Sequence, residues 1–245
     1  MEQEVGENSR DLAVDSRAVD YVLSAVKSVA GPFPIVGPLI AELVGFVVPN
    51  QRVDRIAKFV LELERRVSGL ESAKGISKQL QNESFTDLLE EGLRQAARST
   101  SDERRAYLAA LICNAVSSER IQYLESRHLL RILDEINDIE VIWLRFYREP
   151  VLEGDNDFRK RHKKVLDPKV AYLGSPQSEV DKATLQGSYK EHLSRLGLLQ
   201  ARYRTDFDSR KPEFDELSGR QKVEDYEITN LGRLLLRELD LDGGE

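Results

Sequence analysis

The residues able to do chemistry stand at spacings that do not support it. The three histidines, His128, His162 and His192, lie in separate segments, and none forms an H-x-x-x-H or Cys/His pair, so no metal site is predicted. Cys113 is the single cysteine, which rules out an internal disulfide. It sits among Leu108, Leu111, Ile112 and Val116 at helical spacing, where a buried, inert thiol is expected. There is no G-x-S-x-G, no P-loop and no G-x-G-x-x-G. The acid pairs Glu90-Glu91 and Asp102-Glu103 fall at helix starts or on polar faces, where they complement the helix dipole. The sequence therefore predicts a protein that is not an enzyme and needs no cofactor or small-molecule substrate.

Two stretches carry binding chemistry instead. The first is VAGPFPIVGPLIAELVGFVVP, residues 29–49, 21 residues with Glu42 as the only charge. A single membrane-crossing helix needs roughly 20 apolar residues. However, Pro32, Pro34 and Pro38 break helices, Gly31, Gly37 and Gly45 weaken them, and Glu42 is costly at mid-bilayer. We read two short apolar helices, 21–30 and 37–48, around a rigid Gly31-Pro32-Phe33-Pro34 corner. Gly37, Ala41 and Gly45 share one face, which lets another helix approach closely. The stretch suits a buried core hairpin, a membrane contact or an oligomer interface. Its candidate interface residues are Phe33, Ile35, Val36, Gly37, Leu39, Ile40, Ala41, Leu43, Val44, Gly45, Phe46 and Val47. The second stretch is the strongest basic run of the chain, Arg159, Lys160, Arg161, His162, Lys163 and Lys164. It suits phosphates or anionic lipid, or a solvated segment paired with Glu153, Asp155 and Asp157 just before it.

The elements that must position these stretches are helical. Residues 1–14 are polar and expected to be disordered, with no signal-peptide pattern. An apolar helical hairpin follows over 15–50. Residues 51–149 read as a helical bundle, beginning with an amphipathic helix over 51–72 in which Val53, Ile56, Phe59, Val60, Leu63, Val67 and Leu70 form the seam. Arg52 and Arg55 sit just past the apolar stretch, where lipid headgroups would lie. Further helices are predicted over 85–98, 102–117, 118–136 (with Ile121, Leu124, Leu129, Leu130 and Leu133 at helical spacing) and 138–148. Thr100 with Glu103, and Asn137 with Glu140, have capping-box spacing. Trp143 is expected to anchor the core. Residues 150–176 form a charged linker, 177–240 a last domain and 241–245 a tail. Net charge is −7 with 32% charged residues, which fits a cytoplasmic protein, peripheral at the inner membrane if the apolar stretch inserts. That acidity argues against nucleic acid as the main partner.

The last domain has a recognisable rhythm. A helix over 178–196 stops at Gly197, strands follow over 198–203 and 223–228, and Thr229 caps a final helix. HLSRLGLL … YEITNLGRLLL resembles the end of winged-helix domains. The fold class predicted is mainly α, a multi-helix bundle with a small C-terminal winged-helix-like α+β subdomain. Together with FTDLLEEGLRQAARSTSDERRAYLAALICNAVSS and HLLRILDEINDIEVIWL, these phrases resemble the Abi-alpha family of bacterial abortive-infection proteins. Members carry a similar glycine- and proline-bearing apolar segment near the start. The resemblance covers most of 31–239 and rests on leucines, glycines and caps. It implies an all-helical, winged-helix-ended protein acting in bacterial defence against phage; the apolar stretch itself points to a protein partner, a homo-oligomer or a membrane surface. The insert over 205–219 is longer than the short wing hairpin of that pattern, which argues against nucleic-acid contact there.

Overall fold

The computed structural model describes residues 50–68, 82–117, 123–150, 155–172, 174–206, 211–214, 219 and 221–242. The expectations for 1–49 lie outside these residues. The described chain is mainly helical with one two-stranded antiparallel sheet. It divides into two compact units, one up to Arg131 and one from Ile132 onward.

The first unit is built from α1 (Asn50–Ser68), α2 (Glu83–Arg98), α3 (Asp102–Ser117) and the start of α4 (Tyr123–Glu135). In α1, Ile56, Phe59, Val60 and Val67 are buried and the charged residues form the outer side, as their spacing predicts. Asn82 opens α2 by accepting a hydrogen bond from the Ser84 N–H at 3.0 Å. Every residue from Leu108 to Cys113 is buried, so α3 is covered on all sides and forms the middle of this unit. Gly92 lets α2 meet α3 closely, because a Cβ there would run into the Ile112 Cδ1 methyl. Cys113 is buried against Val67, as expected.

Two details differ from what the spacing predicts, and a third, at Arg105, carries no sequence signal. The cap of α3 is Ser101, whose Oγ accepts from the Arg104 N–H at 3.0 Å, one residue later than the Thr100–Glu103 spacing suggests. Leu124 has helical spacing but is 71% exposed. Arg105 is a charged residue only 5% exposed. Its guanidinium donates to the Ser99 carbonyl at 2.9 Å and pairs with Asp102, so it satisfies an orphan carbonyl at the end of α2.

The second unit holds α5 (Asp138–Arg148), α6 (Asn156–Arg161), α7 (Lys163–Leu166), α8 (Gln177–Arg195), β1 (Leu199–Tyr203), β2 (Val223–Ile228) and α9 (Asn230–Glu238). The predicted box at Asn137 and Glu140 forms in both directions, at 3.0 and 2.7 Å. Trp143 is buried in α5, as expected. The end of α8 turns through Gly197 at φ +73°, with Leu198 N–H donating to Leu193 O and Gly197 N–H to Ser194 O, both at 3.0 Å. That pairing needs a left-handed residue, which glycine adopts without strain. The strands pair Leu199 with Ile228 and Arg202 with Asp225, and the register shifts after Arg202. Past the strands, Thr205 pairs with Pro212 and Phe214 with Gln221. At the base of the hairpin, Thr229 N–H donates to Leu198 O, and Thr229 Oγ1 accepts from Gly232 N–H at 3.0 Å. A Cβ at Gly232 would run into the Leu198 carbonyl oxygen. The T-x-x-G spacing thus has a cause: the threonine caps α9, and the glycine makes room for the strand it caps against.

Candidate functional site

Of the two predicted stretches, the interface residues between Phe33 and Val47 lie outside the described residues. The basic run is described and forms α6 and α7. Asp155 caps α6 through Oδ1, which accepts from the Phe158 N–H at 3.3 Å, and its Oδ2 takes a 2.6 Å hydrogen bond from Arg145. Burial raises the Asp155 pKa, but the Arg145 and Phe158 hydrogen bonds and the charges of Arg145 and Arg148 outweigh it, and the carboxyl sits below its ordinary value. Phe158 is the buried anchor of α6. The Arg145 guanidinium lies 4.4 Å from its ring centroid, and the His162 ring 4.7 Å away.

This anchoring splits the run. Arg159 turns back: it donates to the Glu149 carbonyl at 2.9 Å and lies 4.8 Å over the Phe146 ring. His162 stacks on Phe158. Lys160, Arg161, Lys163 and Lys164 are exposed. The sequence allowed the run to pair with the acids before it, but Asp155 is taken by Arg145. Glu153 lies outside the described residues, and Asp157 comes within 4.0 Å of Lys160, with both side chains almost fully in water. Such a pair contributes little. Arg161, Lys163 and Lys164 have no carboxylate partner among the described residues.

The chain after α7 is fixed by one side chain of α8. Gln186 is buried; its Oε1 accepts from Lys169 N–H at 2.9 Å, and its Nε2 donates to the carbonyls of Val165 at 3.1 Å and Asp167 at 3.0 Å. Tyr172 and Ser175 then close a turn, with Tyr172 N–H on Ser175 Oγ and Ser175 N–H on Tyr172 O. The held segment leaves Val170 56% and Tyr172 76% exposed. Their signal in the sequence is the short apolar run Val170-Ala171-Tyr172-Leu173 between Pro168 and Pro176, which the charged-linker reading does not single out.

The other polar arrangements are internal. Glu140, 3% exposed, faces His192 Nδ1 at 2.7 Å through Oε1 while Oε2 serves the α5 cap. The hydroxyl of Ser188, one turn away on α8, donates to Leu185 O. Lys190 Nζ lies 4.5 Å over the Trp143 ring. Burial lowers the Lys190 pKa, against the pull of Asp225. Burial also pushes the Tyr147 phenol far up, with Asp225 and Tyr226 adding to it. A shallow depression between α1 and α3 is lined by Lys58, Glu62, Asp102, Glu103 and Arg105; Asp102 pairs with Lys58 and Arg105, and Glu62 with Arg65 and Arg66. Among the described residues there is no group of metal ligands, and no helix is long and apolar enough to cross a membrane. No family model, no curated protein and no solved structure matches the chain.

Proposed function

We propose that the chain is a non-enzymatic helical protein of the abortive-infection kind, which works in bacterial phage defence by attaching to a membrane surface through residues 29–49. The observation that carries this reading is the composition of that stretch: 21 residues with one charge, small residues on one face, and helix breakers that suit a shallow hairpin better than a span. It ends where α1 begins, at Asn50. Arg52 is exposed there and free to meet headgroups, whereas Arg55 donates to the Ala97 carbonyl at 3.3 Å and is committed to the helix packing. Attachment to a second copy through the same face is the companion reading.

The order α8, β1, β2, α9 also supports a winged-helix-like subdomain, and with it a nucleic-acid-binding regulator. The charges weigh against that alternative. Of the cations on α8, Lys190 is committed to Trp143, which leaves Lys182 and Arg195 exposed against Glu179, Asp181 and Glu191.

Flotation of the purified full chain with vesicles, beside a deletion of 29–49, tests the proposal. The expected result is that the full chain floats and the deletion stays folded and unbound. A full chain that stays at the bottom of the gradient, with a deletion that unfolds, means the stretch is core. Gly45→Leu is expected to weaken attachment or assembly by blocking close helix approach; unchanged behaviour in both assays removes the small-residue face as an interface.

A further inference from the structure

We propose that the α6–α7 edge of the second unit, with Lys160, Arg161, Lys163 and Lys164 outward and Val170 and Tyr172 following, is a docking surface for anionic phospholipid headgroups. This reading uses none of residues 29–49 and stands whether or not that stretch inserts.

Three observations lead there. First, the structure sorts the run by task. Arg159 and His162 hold the edge to its own unit through Phe146, Phe158 and the Glu149 carbonyl, and the other four cations are left in water. Of the described acids just before the run, Asp155 is withdrawn to Arg145, and Asp157 reaches only Lys160, at 4.0 Å in water. Second, the chain carries a net charge of −7, so a cluster of four exposed cations, opposed on α6 by the exposed Asp157, is where a negative surface can be met with least general repulsion. Third, the connection that follows is fixed by Gln186, and it exposes a valine and a tyrosine two residues apart. Exposed lysines and arginine followed closely in the chain by an exposed tyrosine match the composition of a membrane-surface contact, in which an amphipathic tyrosine sits at the interface while cations reach the phosphates. A nucleic acid would use the same cations but has no use for an exposed valine.

Binding of the full chain to phosphatidylcholine vesicles, with and without phosphatidylglycerol, tests this. Phosphatidylcholine alone reports the apolar stretch; the increment on adding phosphatidylglycerol reports the edge. The increment should be present and should shrink with added salt. The triple variant R161Q/K163Q/K164Q should lower affinity for the anionic vesicles by about 100-fold, at about fivefold per removed cation. It should leave binding to phosphatidylcholine and thermal unfolding unchanged. Tyr172→Ala should weaken the anionic binding several-fold, and Arg202→Gln, a cation paired with Glu227 on the hairpin, should not. The proposal is overturned if the anionic increment is absent, if the triple variant keeps it, or if a single-stranded oligonucleotide displaces the vesicles at stoichiometric concentration.

Discussion

Glu140 does two jobs at once: one oxygen completes the α5 cap and the other meets His192 on α8. Glu140→Ala would leave a cap N–H and an imidazole nitrogen at a part-buried joint without their acceptor, and is expected to cost about 1–2 kcal/mol in urea unfolding. Glu140→Gln keeps an oxygen for the Asn137 N–H and offers its amide to His192, so it should cost less than half of that. Equal losses would mean that charge, and not hydrogen bonding, holds the joint. Asp155 gives a pH prediction. Its folded pKa lies below the ordinary value, so it contributes stability above about pH 4 that is lost as pH falls through the folded value. Asp155→Asn should therefore flatten the acid side of the stability curve, seen as a smaller drop in urea midpoint on acidification. Asp240 ends α9 with φ +56°, while Leu241 N–H donates to Leu236 O at 2.8 Å. Asp240→Gly relieves the left-handed penalty and should raise stability by about 0.5–1 kcal/mol. A loss would show that the Asp240 side chain is needed there.

At the scale of elements, two glycines make a controlled comparison. A methyl at Gly92 meets the far end of the Ile112 side chain, which can turn; a methyl at Gly232 meets the Leu198 backbone carbonyl, which cannot without moving β1. Gly→Ala in a helix also gains about 0.5–1 kcal/mol of propensity. Gly232→Ala should thus cost about 2–3 kcal/mol and Gly92→Ala about 1 or less; the reverse order would show that α2 and α3 cannot yield. Much of this level was legible in the sequence. The Asn137–Glu140 box, the stop at Gly197, the span of β2 and the T-x-x-G start of α9 all follow from local chemistry, and local chemistry decided them. What was not legible depends on neighbours far along the chain. Leu124 keeps helical spacing but has no partner to bury it. Arg105 reads as a surface charge until the end of α2 arrives with an orphan carbonyl. The helix α6 has 6 residues, too few to show a period, and the linker around it read as irregular.

For the whole molecule, the sequence located both candidate binding stretches, since apolar runs and charge runs are visible in composition. It could not divide the basic run into anchoring and free residues, because that depends on Phe146, Phe158 and Asp155 coming together. If residues 29–49 serve a membrane, deleting them should leave the urea unfolding of the remaining chain within about 1 kcal/mol of the full protein; a larger loss would place the stretch in a core. The fastening of the α7–α8 connection has a bearing on how this molecule can change. Its path is specified from outside itself by the carboxamide of Gln186, which grips only main-chain atoms of Val165, Asp167 and Lys169. The side chains at Val170 and Tyr172 are therefore under no architectural obligation. They can drift through evolution or be rewritten by design to suit a different surface, while one position on α8, untouched, keeps the route the same.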